Sequence, residues 1–210
     1  MHRKKLVSAV AVMFLLVLVA CGRKDDTIDA NAGENAAGEP TINTEEPARE
    51  RQVARNPPTA TATLQGAPED ADFKGTITLT PDPGGVRVVA HLEGIDQDGP
   101  HGFHVHETGD CSHGEGGKHF TSAGGHFNPD NVEHACPPTE PRHAGDLGNI
   151  EVTNGTGHLE TTLKLSLSGP NSVVGKAIIL HANADDCKTQ PTGNAGDRLA
   201  CGVVTMGGAQ

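Results

Sequence analysis

From residue 59 to the end of the chain, apolar residues recur at every second position in short runs separated by turn-forming residues. A period of two places alternate side chains on opposite faces of a strand, so the pattern predicts antiparallel strands with one face in water. Eight such runs are found, at residues 59–64, 75–80, 86–92, 101–106, 147–152, 157–163, 173–181 and 199–206. Helical periodicity is not convincing anywhere. The pattern therefore predicts an all-β domain, built as a sandwich or barrel.

Turn sequences and two long interruptions organise these strands. Residues 81–85 and the dipeptide Asn154-Gly155 lie between consecutive runs, and Asn-Gly supplies the positive φ values of a type I′ hairpin turn. The strand pattern fails over about 107–146 and 182–198. Long loops inside a compact domain are usually functional, so candidate chemistry is expected in these two segments.

The first 20 residues have the pattern of an export signal. A basic stretch, His2 to Lys5, is followed by apolar residues from Leu6 to Ala20. About 15 apolar residues are fewer than the roughly 20 that a membrane-spanning helix needs. The stretch ends in Leu-Val-Ala-Cys at 18–21, which resembles the lipobox of bacterial lipoproteins. We therefore predict a signal peptide over 1–20 and lipidation of Cys21, the alternative being an unrelated cysteine.

Residues 22–58 are rich in Asp, Glu, Asn, Ala and Pro and contain few branched aliphatic residues. Such a segment buries too little apolar area to offset its ordering entropy, so 21–58 is predicted to be a lipidated, disordered tether. The folded domain is then 59–210. Two or three acyl chains on Cys21 would hold it stably at a membrane. We expect an exported protein on the periplasmic or extracytoplasmic face.

Charge and composition exclude a nucleic-acid partner. The domain contains 19 of the 27 acidic residues and 8 of the 16 basic ones, a formal net charge of −11. It therefore lacks the basic surface that a nucleic acid requires. The chain has no Trp or Tyr, and its five Phe are too few for a base-stacking platform.

Histidines are the strongest chemical signal in the domain, which holds 11 of the chain's 12. His104 and His106 are two residues apart, so on a strand they share a face and both can reach one ion. The same domain supplies His126, His134, His143, Asp146 and His181. Imidazoles suit zinc and copper, and a carboxylate completes a tetrahedral zinc site.

Five segments closely resemble the copper-zinc superoxide dismutase family. They are 101–107 (HGFHVHE), 122–129 (SAGGHFNP), 143–149 (HAGDLGN), 181–186 (HANADD) and 193–202 (GNAGDRLACG). They stand in the family's order and span essentially the whole domain. The resemblance implies an eight-stranded antiparallel Greek-key sandwich or barrel with two long metal- and channel-forming loops. It implies one copper and one zinc per subunit and the conversion of superoxide to oxygen and hydrogen peroxide, and it leaves a homodimer open.

The resemblance also implies a role for each matched residue. The copper ligands would be His104, His106, His126 and His181. The zinc ligands would be His126, His134, His143 and Asp146. His126 would bridge both ions and take part in proton transfer. Asp185 would accept hydrogen bonds from His104 and His134, Arg198 would hold the anionic substrate beside the copper, and Thr192 would narrow the channel.

The chain departs from the family's animal members in the loop 185–198, which is shorter and lacks their charged steering residues; only Lys188 and Arg198 are cationic there. The resemblance therefore does not imply that this loop attracts the anionic substrate by its charges, as the loop of the animal enzymes does. The stretch between Cys111 and His126 is longer, and its His113 and His119 form either an auxiliary metal site or a solvated loop. His101, His91 and His158 are interpreted as structural.

Four cysteines lie in the domain. Cys111 and Cys201 match the family's disulfide. The animal enzymes lack Cys136 and Cys187. These two lie two residues beyond His134 and Asp185, which the resemblance places in contact, so we predict a second disulfide, the alternative being two buried thiols. Two rival functions also stay open: a copper-delivery module and a structural sandwich without metals.

Overall fold

The structure is a computed structural model that describes residues 57–114 and 118–207. The strands in this part of the chain are β1 (Ala60–Gly66), β2 (Lys74–Asp82), β3 (Gly85–Glu93), β4 (Gly99–His106), β5 (Asp146–Thr153), β6 (Thr156–Leu163), β7 (Ala177–His181), β8 (Arg198–Val203) and β9 (Thr205–Met206). The predicted signal peptide, Cys21 and the tether up to residue 56 lie outside the described residues. No helix among the described residues is long and apolar enough to cross a membrane.

The strands close into one antiparallel barrel. Their order is β2-β3-β6-β5-β4-β7-β8-β1, and β1 pairs back onto β2 from Ala60↔Leu79 to Gln65↔Lys74. Inward-facing apolar side chains fill the barrel, among them Ile77, Leu79, Val88, Leu92, Phe103, Val105, Ile150, Ile178 and Leu180. Fully burying one such side chain contributes about 1.5–3 kcal/mol. The predicted all-β fold of eight antiparallel strands is confirmed.

The Asn154-Gly155 turn joins β5 to β6 as a two-residue hairpin. Thr153 pairs with Thr156, and φ is 52° at Asn154 and 72° at Gly155. A type I′ turn requires positive φ at both central positions, which these two residues tolerate best.

Two predicted strands differ from the observed ones. The run 173–181 begins its strand only at Ala177, because Gly175 has a φ of 81° and Lys176 donates its N–H back to the carbonyl of Val173. The run 199–206 is divided into β8 and β9 at Val204, whose N–H donates to the carbonyl of Lys176, the residue before β7. Both differences arise from backbone hydrogen bonds that Lys176 makes with Val173 and Val204, which the apolar pattern of the sequence does not encode.

Strand β4 connects the core to the candidate site. Phe103 and Val105 belong to the barrel core. Because successive side chains of a strand point to opposite faces, His104 and His106 lie on the outer side. The segment 107–145 is tied to this strand by the N–H of Phe127, which donates to the carbonyl of Val105 over 2.8 Å.

Candidate metal centre

Four buried histidines converge beside β4 and β7. His104 and His106 belong to β4, His181 ends β7, and His126 reaches them from the loop 107–145 through an isolated bridge to His106. Each offers a ring nitrogen within 4.8 Å of the others, and Nε2 of His106 lies 3.3 Å from Nε2 of His181. The structure thus brings together the four residues that the sequence predicts as copper ligands.

A second buried group shares His126 and is centred on Asp146. Oδ1 of Asp146 lies 2.8 Å from Nδ1 of His126, 3.0 Å from Nδ1 of His134 and 3.3 Å from Nδ1 of His143. The other carboxylate oxygen, Oδ2, accepts hydrogen bonds from the backbone N–H groups of Ala135 and His143. Three nitrogens and one oxygen therefore converge as donors around a single ion would, and these are the four predicted zinc ligands.

The donor atoms themselves show that metal ions fit here. Four buried ring nitrogens make no hydrogen bond of good geometry among the described residues, namely Nδ1 of His104, Nε2 of His126, Nδ1 of His134 and Nδ1 of His143, although the last two lie 3.0 and 3.3 Å from Oδ1 of Asp146. A buried polar atom without a partner costs about 1–3 kcal/mol. One ion in each group would satisfy all four nitrogens. His126 has one nitrogen toward Asp146 and its other nitrogen without a partner, as an imidazole shared by two ions would.

Asp185 holds one histidine of each group. Its Oδ2 lies 2.7 Å from Nε2 of His104, and its Oδ1 lies 2.9 Å from Nε2 of His134. Both imidazoles therefore donate to the carboxylate through Nε2 and keep Nδ1 for the metal groups. A carboxylate in this position fixes the tautomer and the ring orientation of a metal ligand.

Burial and nearby charges shift the pKa values of His104 and His134, one from each group, in opposite directions. Burial lowers the pKa of His104 to about 4, and burial together with neighbouring His126 holds the pKa of His106 well below its ordinary value. These rings are neutral at pH 7, the state that a metal ligand requires. Burial also opposes the charged form of His134, but the carboxylates of Asp146 and Asp185 raise its pKa to about 9. A metal ion in the second group would therefore replace the proton on Nδ1 of His134, which faces Asp146, while Nε2 keeps its proton toward Asp185.

Arg198 lies next to the first group at the start of β8. Its guanidinium donates to the carbonyl oxygens of Phe120 and Gly124. The carbonyl of Gly124 also accepts a hydrogen bond from Nδ1 of His106 over 2.9 Å, so one carbonyl joins the arginine to a predicted copper ligand. Gly124 has a φ of 74°, and a Cβ there would lie 2.4 Å from Oε1 of Glu107. This tight turn therefore requires glycine.

The family model described as copper/zinc superoxide dismutase (SODC) matches residues 73–204, which contain both groups and Arg198. The chain belongs to the copper/zinc superoxide dismutase family. It is an oxidoreductase of this type, and the predicted cofactors, copper and zinc, are confirmed for the family.

Two curated relatives of the superoxide dismutase family carry the same printed name, extracellular superoxide dismutase [Cu-Zn]. The protein of Brugia pahangi is 39% identical over 159 residues, which cover 70% of this chain and 77% of the relative. The protein of Drosophila melanogaster is 40% identical over 147 residues, or 65% of this chain and 77% of the relative. A solved structure titled as that of the clock protein EA4 has a TM-score of 0.62 and 39% identity, and the match covers 70% of this chain and 94% of that one.

Both predicted cysteine pairs are disulfide-bonded in this member of the superoxide dismutase family. Cys111 joins Cys201 across 90 residues, and Cys136 joins Cys187 across 51. The second bond ties the loop 107–145, two residues beyond His134, to the loop 182–197.

Two side-chain amides hydrogen-bond to the backbone of residues in the superoxide dismutase centre, and neither was predicted from the sequence. Asn149 accepts from the N–H of Asp185 over 2.7 Å and donates to its carbonyl over 2.9 Å. Gln190 makes the same pair of bonds to the backbone of His134, each 2.8 Å long. Asn149 falls inside a matched segment, which was the available signal; Gln190 does not.

The remaining predicted residues lie outside the two groups. His101 is buried between the carbonyl oxygens of His181 and Gln97, at 2.8 and 2.9 Å, which is a structural role. Thr192 is half-buried in the loop 182–197, and Lys188 is exposed in it.

Proposed function

We propose that this chain disproportionates superoxide to oxygen and hydrogen peroxide, with copper held by His104, His106, His126 and His181 and zinc held by His126, His134, His143 and Asp146. The observation that carries the proposal is the position of His126, whose two ring nitrogens belong to two different donor groups. Four imidazoles suit copper, whereas three imidazoles and a carboxylate suit tetrahedral zinc.

Copper supplies the chemistry when bound, because it can oxidise one superoxide and reduce the next by one electron each. The protein must then attract an anion, deliver two protons and keep the ligands in place. Zinc has no redox chemistry, so its group is assigned a structural and electrostatic role.

Arg198 is the residue proposed to bind superoxide. Its charge is permanent, and its two carbonyl partners, on Phe120 and Gly124, fix the guanidinium beside the imidazole of His106. An anion held at Arg198 therefore waits next to the copper group. Thr192 is proposed to narrow the approach to this position.

His126 is proposed to carry one of the two protons. Its Nε2 would accept a proton in the first half of the cycle and donate it to the reduced dioxygen in the second, while water supplies the other. Nδ1 stays directed at the zinc group beside Asp146 throughout. The ring therefore keeps its orientation while Nε2 gains and loses the proton.

We further propose that the enzyme protects the cell envelope from outside the cytoplasm. The sequence over 1–20 supports export, the lipobox-like sequence supports lipidation of Cys21, and the polar segment 22–58 supports a tether. Two disulfides in the folded part are the chemistry of an oxidising compartment.

Turnover by the metal-loaded protein tests this function. A dismutase should consume many superoxide ions per copper, with a rate proportional to copper content. A copper-delivery module would take up stoichiometric copper and release it to a chelator or an acceptor without turnover. Finding uptake of both metals but no catalysis would reject the proposal.

A further inference from the structure

A third arrangement of histidines lies outside both groups. Nδ1 of His113 and Nδ1 of His119 are 3.1 Å apart, and their rings meet at 86° with centroids 4.9 Å apart. Two nitrogens that bind one tetrahedral ion at about 2.0–2.1 Å lie roughly 3.3–3.4 Å from each other. The observed separation is close to that value, so one ion could bind both nitrogens after a small adjustment of the rings.

Glu69 favours the tautomer of His119 that can bind a metal ion through Nδ1. Its Oε1 lies 2.8 Å from Nε2 of His119. A carboxylate that accepts the proton of one ring nitrogen leaves the lone pair of the other nitrogen, here Nδ1, for a metal. Asp185 has this same relation to His104 and His134 in the copper and zinc groups.

The described residues next to the pair are held by hydrogen bonds on both sides. The N–H of Gly114 donates to the carbonyl of Lys118 over 3.0 Å, which brings the flanking histidines side by side. A Cβ at Gly114 would lie 1.8 Å from Oγ1 of Thr121, so a larger residue there would force the Thr121 side chain to move. Ser112 donates through Oγ to Oγ of Ser122 over 2.9 Å. The pair is therefore largely organised before any ion binds.

The surroundings favour a cation. A cleft of about 720 Å³ is lined by His119, by the acidic residues Glu69, Asp70 and Asp197, and by the cations Lys118 and Arg198. His113 is exposed and His119 half-buried, so water can complete the coordination of an ion. The three carboxylates of the cleft outnumber its two cations, and one of them, Glu69, contacts His119.

We propose that His113 and His119 bind one divalent transition-metal ion through their Nδ1 atoms, with Glu69 orienting His119 and water in the remaining positions. Zinc, copper and nickel are the ions that imidazole ligands suit. The ion would place positive charge at the edge of the cleft that contains Arg198, in a domain of net charge −11. The site needs neither the copper nor the zinc of the main centre.

Nickel is the probe that distinguishes this site, because it can be counted separately from the resident metals. Protein already loaded with copper and zinc is titrated with Ni²⁺, freed of unbound metal by gel filtration, and analysed for all three metals by mass spectrometry. We expect about one nickel per chain with copper and zinc retained. The double variant H113A/H119A should lose this equivalent, and E69A should bind it at least about tenfold more weakly.

The matched control is the other exposed histidine pair. His91 and His158 are cross-strand neighbours on β3 and β6 with Nδ1 atoms 3.2 Å apart, and no carboxylate lies within ion-pair distance of either ring in the described part of the chain. H91A/H158A should keep the nickel that H113A/H119A loses. Equal nickel binding by wild type and H113A/H119A, loss in H91A/H158A instead, or nickel bound only in exchange for copper or zinc would each overturn the proposal.

Discussion

The backbone N–H of Cys187 donates to Oδ1 of Asp185 over 2.7 Å. This is the same oxygen that accepts from Nε2 of His134. The disulfide from Cys187 to Cys136 therefore closes a short ring of bonds, in which two loops and the carboxylate between the metal groups hold each other in place.

Replacing both cysteines, as C136S/C187S, should weaken zinc retention and destabilise the fold. In the loop-closure model, a bond that closes 51 residues contributes about 4 kcal/mol to the free energy of unfolding. Zinc loss to a chelator and unfolding by urea measure the two effects. The control C111S/C201S removes the longer closure, and it should lower stability by a similar amount with a smaller effect on zinc. Equal zinc retention in wild type and C136S/C187S would contradict the prediction.

Asp185→Asn should weaken metal binding, because only one of the two side-chain atoms is then an acceptor, so His104 or His134 loses its hydrogen-bond partner. The loss of such a partner typically costs about 10–100-fold in metal affinity. Competition with chelators for copper and for zinc measures it. Asp186→Asn changes the neighbouring exposed carboxylate, whose partners are Lys188 and Thr189, and should leave both affinities unchanged. Unchanged affinities for both copper and zinc would contradict this role of Asp185.

Arg198→Ala should slow turnover about tenfold or more and flatten its dependence on salt, with copper and zinc contents unchanged. The substitution removes an attracting charge and no proposed ligand. Arg198→Lys should restore only part of the rate, since an ammonium cannot reproduce the fork that reaches two carbonyl oxygens. Lys188→Ala is the matched cation control. If it slowed turnover as much as Arg198→Ala, the substrate would be guided by the loop instead.

Asn149→Ala should lower the free energy of unfolding and loosen both metal groups. It leaves the backbone N–H and carbonyl of buried Asp185 without their partners, at about 1–3 kcal/mol each. Unfolding of the metal-free protein by denaturant measures the change in the free energy of unfolding separately from metal binding. Asn171→Ala, at an exposed position, is the control and should have little effect. A stability equal to that of wild type would mean that water replaces the amide at no cost.

The metal-free protein should lose stability as pH falls from about 6.5 toward 4. Burial depresses the pKa of His104 to about 4 and holds those of His106 and His181 well below 6.5, so in this window the unfolded chain binds more protons than the folded one. His134, with a pKa raised to about 9, gives a stabilising contribution that is complete below 6.5 and is lost as pH rises through 9. Urea midpoints at pH 4.5, 7 and 9.5 should therefore be highest near neutrality.

The strands and the clusters of histidines could be predicted from the sequence for different reasons. Alternation of apolar residues follows directly from the geometry of a half-buried strand, so the strands were found, although the run 173–181 begins its strand four residues late and the run 199–206 is divided in two. The roles of the histidines were inferred from the resemblance, because residues that match the family's segments in the same order are expected to occupy the same positions in space. The amide bonds from Asn149 and Gln190 could not be predicted, because they span 36 and 56 residues and depend on how two loops pack.

The pairing of β1 with β2 affects how copies of this protein interact at high local concentration. A strand at an open edge offers unpaired backbone groups to other chains, which is how sheets polymerise. In the described part of this chain, β1 to β8 each pair with a neighbour on both sides, although β5 pairs with β6, and β1 with β8, at only two residue pairs, and β9 has two residues. If the chain is concentrated on a membrane by Cys21, as proposed, neighbouring copies present no strand that is unpaired along a whole side, apart from the two-residue β9. We expect such copies to remain individually folded at high local density, without growing into fibrils.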